Sequence, residues 1–210
     1  MTPVSNPIPE PDKFDEKCRK PGEVWLKANP GAERPRDLWS PFRHALADGF
    51  DDRCGYAAMY IPSGTVDHGV SFNEDSSLAY EWSNYRYIDN WINSSKNKQV
   101  AADLLDPFEV QEGWFEISLP SLQLVLTDAV PAAFRERAEN TLKKLPLRDD
   151  ERIMRPRRKW LGIYEKNKDL DMLREMAPLI AAAVEKKEAL EARQLAAEEV
   201  EPVERNDHQR

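Results

Sequence analysis

The sequence predicts an α+β fold: a strand–loop–strand–helix unit, then a small antiparallel meander, then a helical C-terminal region. Three observations predict it. Apolar residues between Tyr56 and Ile88 keep a strand rhythm interrupted by turn residues, those between Phe108 and Leu126 alternate between Glu112-Gly113 and Pro120-Ser121 breaks, and from Pro131 onward the rhythm becomes helical. With 210 residues, 40% of them hydrophobic, the chain can bury one sizeable core. The expected division is a disordered arm at 1–13, a core domain with flanking helices and the meander at 14–130, a helical region at 131–200 and a disordered tail at 201–210.

Each element follows from local chemistry. Pro3, Asn6, Pro7, Pro9 and Pro11 give the arm no periodicity. Pro21 opens a short helix through Lys27, which Asn29-Pro30-Gly31 stops. Ser40-Pro41 starts a second, with Phe42, Leu46 and Phe50 on one face and Gly49 closing it. Tyr56–Ile61, a Pro62-Ser63-Gly64 turn and Thr65–His68 read as a β-hairpin. A polar loop from Gly69 to Ser77 follows, then a strand over Asn84–Ile88, then a helix through Trp91, Ile92 and Lys96 capped by Asp89. Phe108–Val110, Trp114–Leu119 and Leu122–Leu126 make the meander. Three helices close the chain: Pro131 to Leu145, Arg148 to about Lys166 and Leu170 to about Val200, with Pro156 and Pro178 starting or kinking helices where they fall.

Composition excludes several classes. No apolar run approaches the roughly 18 residues of a membrane span, and the first twenty residues lack a secretory apolar core. A cytoplasmic protein with no membrane partner is expected. Cys18 and Cys54 are isolated, so no Cys-x-x-Cys zinc knuckle or disulfide framework can form. A net charge of -8 argues against coating nucleic acid by whole-molecule attraction. A local basic stripe exists nonetheless, with eight basic against three acidic residues from Lys143 to Lys159. It reads either as a solvated helix face or as a DNA-contacting one.

One ordered set of residues carries chemistry. Asp67 and His68 are adjacent, Asn84 lies in Tyr80-Glu81-Trp82-Ser83-Asn84-Tyr85-Arg86, and Asn93 lies on the following helix. Hydrolysis of a phosphodiester needs a base for the water, which a neutral histidine supplies. It also needs a cation held by oxygen ligands to counter charge on phosphorus and on the leaving oxygen. Asp67 and Asn93 offer such oxygens. Strand alternation points Asp67 and His68 to opposite faces unless the strand ends there, and the loop opening at Gly69 fits such an end.

The pattern Val66-Asp67-His68, Tyr80 to Arg86, Asn93 to Lys96 and Leu105 to Phe115 resembles the HNH endonuclease superfamily, in a bacterial group without zinc. The similarity spans roughly residues 50 to 120. It implies a ββα-metal (His-Me finger) core in the 14–130 domain, with His68 as general base, Asp67 and Asn93 holding one divalent ion, and Asn84 bracing the loop or orienting His68. Mg²⁺ is the implied ion, with Mn²⁺ or Ni²⁺ as alternatives and no structural zinc. Cys54 stands where a zinc cysteine of many relatives would be, but Ala57, Asp89 and Ile92 occupy its partners' places, so Trp82, Tyr85 and Trp91 must supply the packing instead. Arg86, Lys96 and Lys98 are candidates to meet phosphates, with a solvated role as the alternative. Glu74, Asp75 and Glu81 are loop carboxylates that either approach the metal or are simply solvated. The implied function is metal-dependent cleavage of DNA, by family analogy in anti-phage defence beside a regulatory or ATPase partner. The rival is a catalytically inactive interaction or DNA-binding subunit.

Overall fold

A computed structural model describes residues 1–96 and 99–200. The chain is a mixed α/β fold with two small antiparallel ribbons and a helical C-terminal region. A π-helical turn over Asp15–Arg19 runs into α1 (Lys20–Ala28), with Pro21 in its first turn where a missing N–H costs nothing. A 3-10 turn at Ser40–Phe42 leads into α2 (Arg43–Gly49); Ser40 does not cap it, and Asp37 accepts from the Ser40 amide at 3.0 Å instead.

The first ribbon pairs β1 (Thr65–His68) with β2 (Tyr85–Ile88), in the register Asp67 opposite Arg86 and His68 opposite Tyr85. Helix α3 (Asn90–Lys96) follows directly, with the Trp91 amide on the Asp89 carboxylate at 3.2 Å as the capping expectation requires. The strand–loop–strand–helix order therefore stands, but the expected hairpin partner of β1 does not. Tyr56–Ile61 forms no strand beyond a single Arg53–Tyr60 bridge. Tyr56, Ala57, Ala58 and Met59 are all buried, so the segment has no solvent face to alternate with, and it winds through the core with Ala58 at φ 51°. At Gly64 the chain crosses the Tyr87 ring so closely that a Cβ would meet it at 2.5 Å, while the Gly64 amide donates to Tyr87 Oη at 2.8 Å.

The second ribbon pairs β3 (Phe115–Ser118) with β4 (Gln123–Leu126). The third expected meander strand is instead a 3-10 turn at Pro107–Glu109, because Asp106 and Glu109 form a capping box around it. Helices α4 (Ala132–Lys144) and α5 (Glu151–Asn167) match the expected periodicity, and α5 carries Pro156 in its second turn. The last expected helix is divided into α6 (Leu170–Met176) and α7 (Pro178–Val200), since Pro178 opens a helix more readily than it continues one. Helix α7 packs on β3 and α6. The arm expected to be disordered lies against the core: Met1 and Ile8 are buried, and the Ile8 carbonyl accepts from Trp82 Nε1 at 3.0 Å. Its prolines preclude regular structure, not packing. Residues 201–210 and Lys98, about which the sequence also makes expectations, lie outside the described residues. Among the described residues no helix is long and apolar enough to cross a membrane.

Two polar devices hold this core. The buried Cys54 thiol accepts from the amides of Ala57 at 3.5 Å and Asp89 at 3.4 Å, joining the winding segment to the start of α3. Arg157 of α5 is fully buried and donates to the carbonyls of Leu122 at 2.9 Å, Arg148 at 2.9 Å and Leu147 at 2.8 Å, sewing α5 to the β3–β4 turn and to its own approach loop. Burial draws its pKa down to about 10, so it stays charged at neutral pH. Arg157→Ala should strand those carbonyls and lower stability by about 3–5 kcal/mol in urea unfolding. Arg157→Lys should recover little, because one ammonium lacks the guanidinium fork that reaches three carbonyls.

Candidate active site

Strand alternation divides the site residues between the two faces of the first ribbon. Asp67 shares one face with its register partner Arg86, and His68 shares the other with Tyr85.

On the first face Asp67 is buried and meets Lys96 from α3. The ammonium donates to Asp67 Oδ1 at 3.2 Å, to the His68 carbonyl at 2.7 Å and to the Gly69 carbonyl at 3.2 Å. It lies 3.2 Å from Oδ2 as well, but without hydrogen-bond alignment. Oδ2 is the one buried side-chain polar atom without a hydrogen-bond partner among the described residues. Burial pushes Asp67 up to about 6, although Lys96 pulls the other way. Arg86, also buried, forks onto Asp106 at 2.7 and 2.5 Å, donates to the carbonyls of Ser83 and Tyr85, and stacks over Phe108 at 3.9 Å. Burial alone would raise Asp106, but the Arg86 fork holds it below the usual carboxylate range. The side chains of Arg86 and Lys96, expected at phosphates, are thus turned inward, because each neutralises a carboxylate that would otherwise be buried alone. Neither offers its charge to a ligand in this conformation.

On the second face the half-buried His68 ring is clamped edge-on by Trp39 at 4.7 Å and by Tyr85 at 5.1 Å between centroids. Its Nε2 lies 2.9 Å from the Ala79 carbonyl. A carbonyl only accepts, so Nε2 carries the proton and neutral His68 keeps its lone pair on Nδ1. Nδ1 makes no hydrogen bond among the described residues. Burial lowers the His68 pKa below its ordinary value, against the opposing pull of the Ala79 bond. The Ala79 carbonyl is itself fixed, accepting from Tyr85 Oη at 2.8 Å.

Asn84 spans the loop between the strands. Its Oδ1 accepts from the Val70 amide at 2.8 Å, and its Nδ2 donates to the carbonyls of Val70 at 3.0 Å and Leu78 at 3.1 Å. Leu78 adjoins Ala79, whose carbonyl meets His68, so Asn84 ties down the loop segment that carries that carbonyl. Asn93 stands three residues before Lys96 on the same face of α3, half-buried; its backbone amide donates to the Asp89 carbonyl at 3.0 Å, and its side-chain amide makes no hydrogen bond among the described residues. The loop carboxylates serve local ends: Glu74 accepts from Ser71 and Ala101, Asp75 from Ser77, and Glu81 from Arg19.

The donors around the Lys96 ammonium are all oxygen, with an orphaned carboxylate oxygen among them, which is the ligand chemistry of a hard divalent cation. Here the chain fills that seat with its own charge, so the donor set fits such an ion once the Lys96 side chain is withdrawn. Among the described residues no three His, Cys, Asp or Glu side chains group as metal ligands. The residues missed from sequence were Trp39 and Asp106; the latter is signalled by its Asp-Pro-x-Glu capping box, the former by nothing local. No family model matches the chain, and no curated protein matches it significantly.

The Asp67 carboxyl should titrate near pH 6 by carbon-detected NMR. Lys96→Met should move that midpoint higher and cost about 3–5 kcal/mol near neutral pH, as a buried carboxylate left alone does. The sign of the linkage follows from the raised value. Stability contributed by protonating Asp67 is complete below its ordinary 3.8 and is lost as pH rises through about 6.

Proposed function

We propose that this chain is an endonuclease that hydrolyses DNA phosphodiester bonds with a divalent metal, of the HNH type its sequence resembles. The observation that carries the reading is the state of His68: its Nε2 proton is committed to the Ala79 carbonyl at 2.9 Å, which leaves Nδ1 as the nitrogen that can accept a proton. A general base needs a ring nitrogen free to accept a proton, and a hydrogen bond at the other nitrogen fixes which one that is. The pKa lowered by burial keeps the ring neutral, hence basic, at pH 7.

In this reading His68 Nδ1 takes the proton of the attacking water. The resulting imidazolium keeps its orientation through the Ala79 carbonyl, Trp39 and Tyr85. Asn84 acts as a positioning residue through Leu78 and Ala79. Asp67 and Asn93 would hold the metal, Mg²⁺ or a similar hard cation, which would supply Lewis acidity at the phosphate and charge neutralisation at the leaving 3′-oxygen when bound. Because the side chains of Asp67 and His68 leave opposite faces of β1, this reading requires the phosphate to sit at the end of the strand, by Gly69.

One observation favours a second reading, that of an inactive interaction or DNA-binding subunit. The Lys96 ammonium already satisfies Asp67, and a resident charge can replace a metal structurally without replacing its chemistry. Nicking of supercoiled plasmid by the purified chain, with Mg²⁺ or Mn²⁺ and an EDTA control, separates the two. The nuclease reading expects metal-dependent nicking that His68→Ala lowers by about 10²–10⁴-fold with folding unchanged. Full activity in that variant refutes His68 as the base. An absence of nicking, together with no calorimetric signal for either metal, selects the second reading.

A further inference from the structure

The basic stripe of α5 has no part in the site just described, and its placement distinguishes it from an ordinary solvated face. Positions 152, 155, 159, 162 and 166 recur at helical spacing on one side of the helix and hold Arg, Arg, Lys, Gly and Lys. The cations are all exposed, the surface at Gly162 is open, and no carboxylate interrupts the row. The opposite side buries Ile153, Arg157 and Tyr164. Among the described residues Arg155, Lys159 and Lys166 form no ion pair, whereas Lys186 and Lys187 of α7 pair with Glu116 and Glu191. Arg152 is paired, its guanidinium forked onto Asp150 at 2.9 Å, so the segregated field in this chain of net charge -8 is carried by Arg155, Lys159 and Lys166. One end of the row is anchored at the candidate site: the Arg152 guanidinium stacks over Trp91 at 4.7 Å, and Trp91 lies on α3, the helix bearing Asn93 and Lys96.

We infer that the exposed face of α5 from Arg152 to Lys166 is a track for the phosphate backbone of duplex DNA leading away from the α3 site. The row extends roughly 21 Å at 1.5 Å per residue, about six base-pair steps of duplex at 3.4 Å. It offers charge without base-reading groups, so the binding is independent of sequence. The choice of DNA over another polyanion rests on the nuclease reading.

The test measures binding and chemistry separately. Anisotropy of a fluorescein-labelled 20-base-pair duplex, with EDTA present and salt varied, is compared between the unaltered chain and the triple variant Arg155→Glu/Lys159→Glu/Lys166→Glu. The expected result is at least tenfold weaker binding in the variant, and a log–log salt slope shallower by about three, near 0.9 per lost contact. Hydrolysis of bis(p-nitrophenyl) phosphate with Mn²⁺, which needs no track, should be equal in the two proteins. Unchanged duplex binding in the variant overturns the inference, as does binding of polyglutamate by the unaltered chain as tightly as the duplex, which would point to a protein-surface contact. A variant that loses diester hydrolysis along with duplex binding also overturns it, since the site itself would then be disturbed. Reduced duplex binding in the variant, with no diester hydrolysis by either protein, upholds the track while sinking the nuclease reading.

Discussion

The buried pair between Asp67 and Lys96 is the interaction on which the rest of the structure turns. It joins the middle of β1 to the end of α3, and its ammonium also gathers the carbonyls of His68 and Gly69 where the strand gives way to the loop. A carboxylate with almost no solvent exposure tolerates a charge only if a cation stays beside it. Attraction here does not fully offset desolvation, since Asp67 still sits about two units above an ordinary aspartate. The consequence is geometric: α3 cannot slide along the ribbon without stranding a charge.

The two faces of the ribbon do different physical work. One is a network of alternating charges, Lys96 with Asp67 and Arg86 with Asp106, in which every side chain is anchored by another. The other is aromatic. Phe14, Trp82 and Tyr85 meet edge to face at 5.2–5.9 Å, and His68 completes the row between Tyr85 and Trp39. An imidazole held by ring edges and one carbonyl retains a single tautomer with little conformational freedom. Cys54 adds to this stiffness, its buried thiol bonded to the amides of Ala57 and Asp89.

The C-terminal helices supply bulk and separate the charges. Helix α5 turns Arg157 inward to cap backbone carbonyls while its other side displays unpaired cations. Helix α7 pairs Lys186 with Glu116 and Lys187 with Glu191, and packs on β3. An acidic protein thereby keeps one strongly basic edge beside α3.

Local chemistry in the sequence was enough to determine the mixed α/β class, the strand–loop–strand–helix order, the Asp89 cap and Pro178 as a helix start, because each depends on composition or on neighbours within a few residues. Tertiary structure alone decided the rest. It paired β1 with β2 rather than with Tyr56–Ile61, because burial on both sides of that segment erased the alternation a strand would need. It turned Arg86 and Lys96 inward, because the carboxylates they neutralise are twenty or more residues away in sequence. It also fixed His68 by Ala79 and Trp39, partners that no spacing rule names. Charge and ring partners separated along the chain are chosen by packing, and packing is not written in any single window of residues.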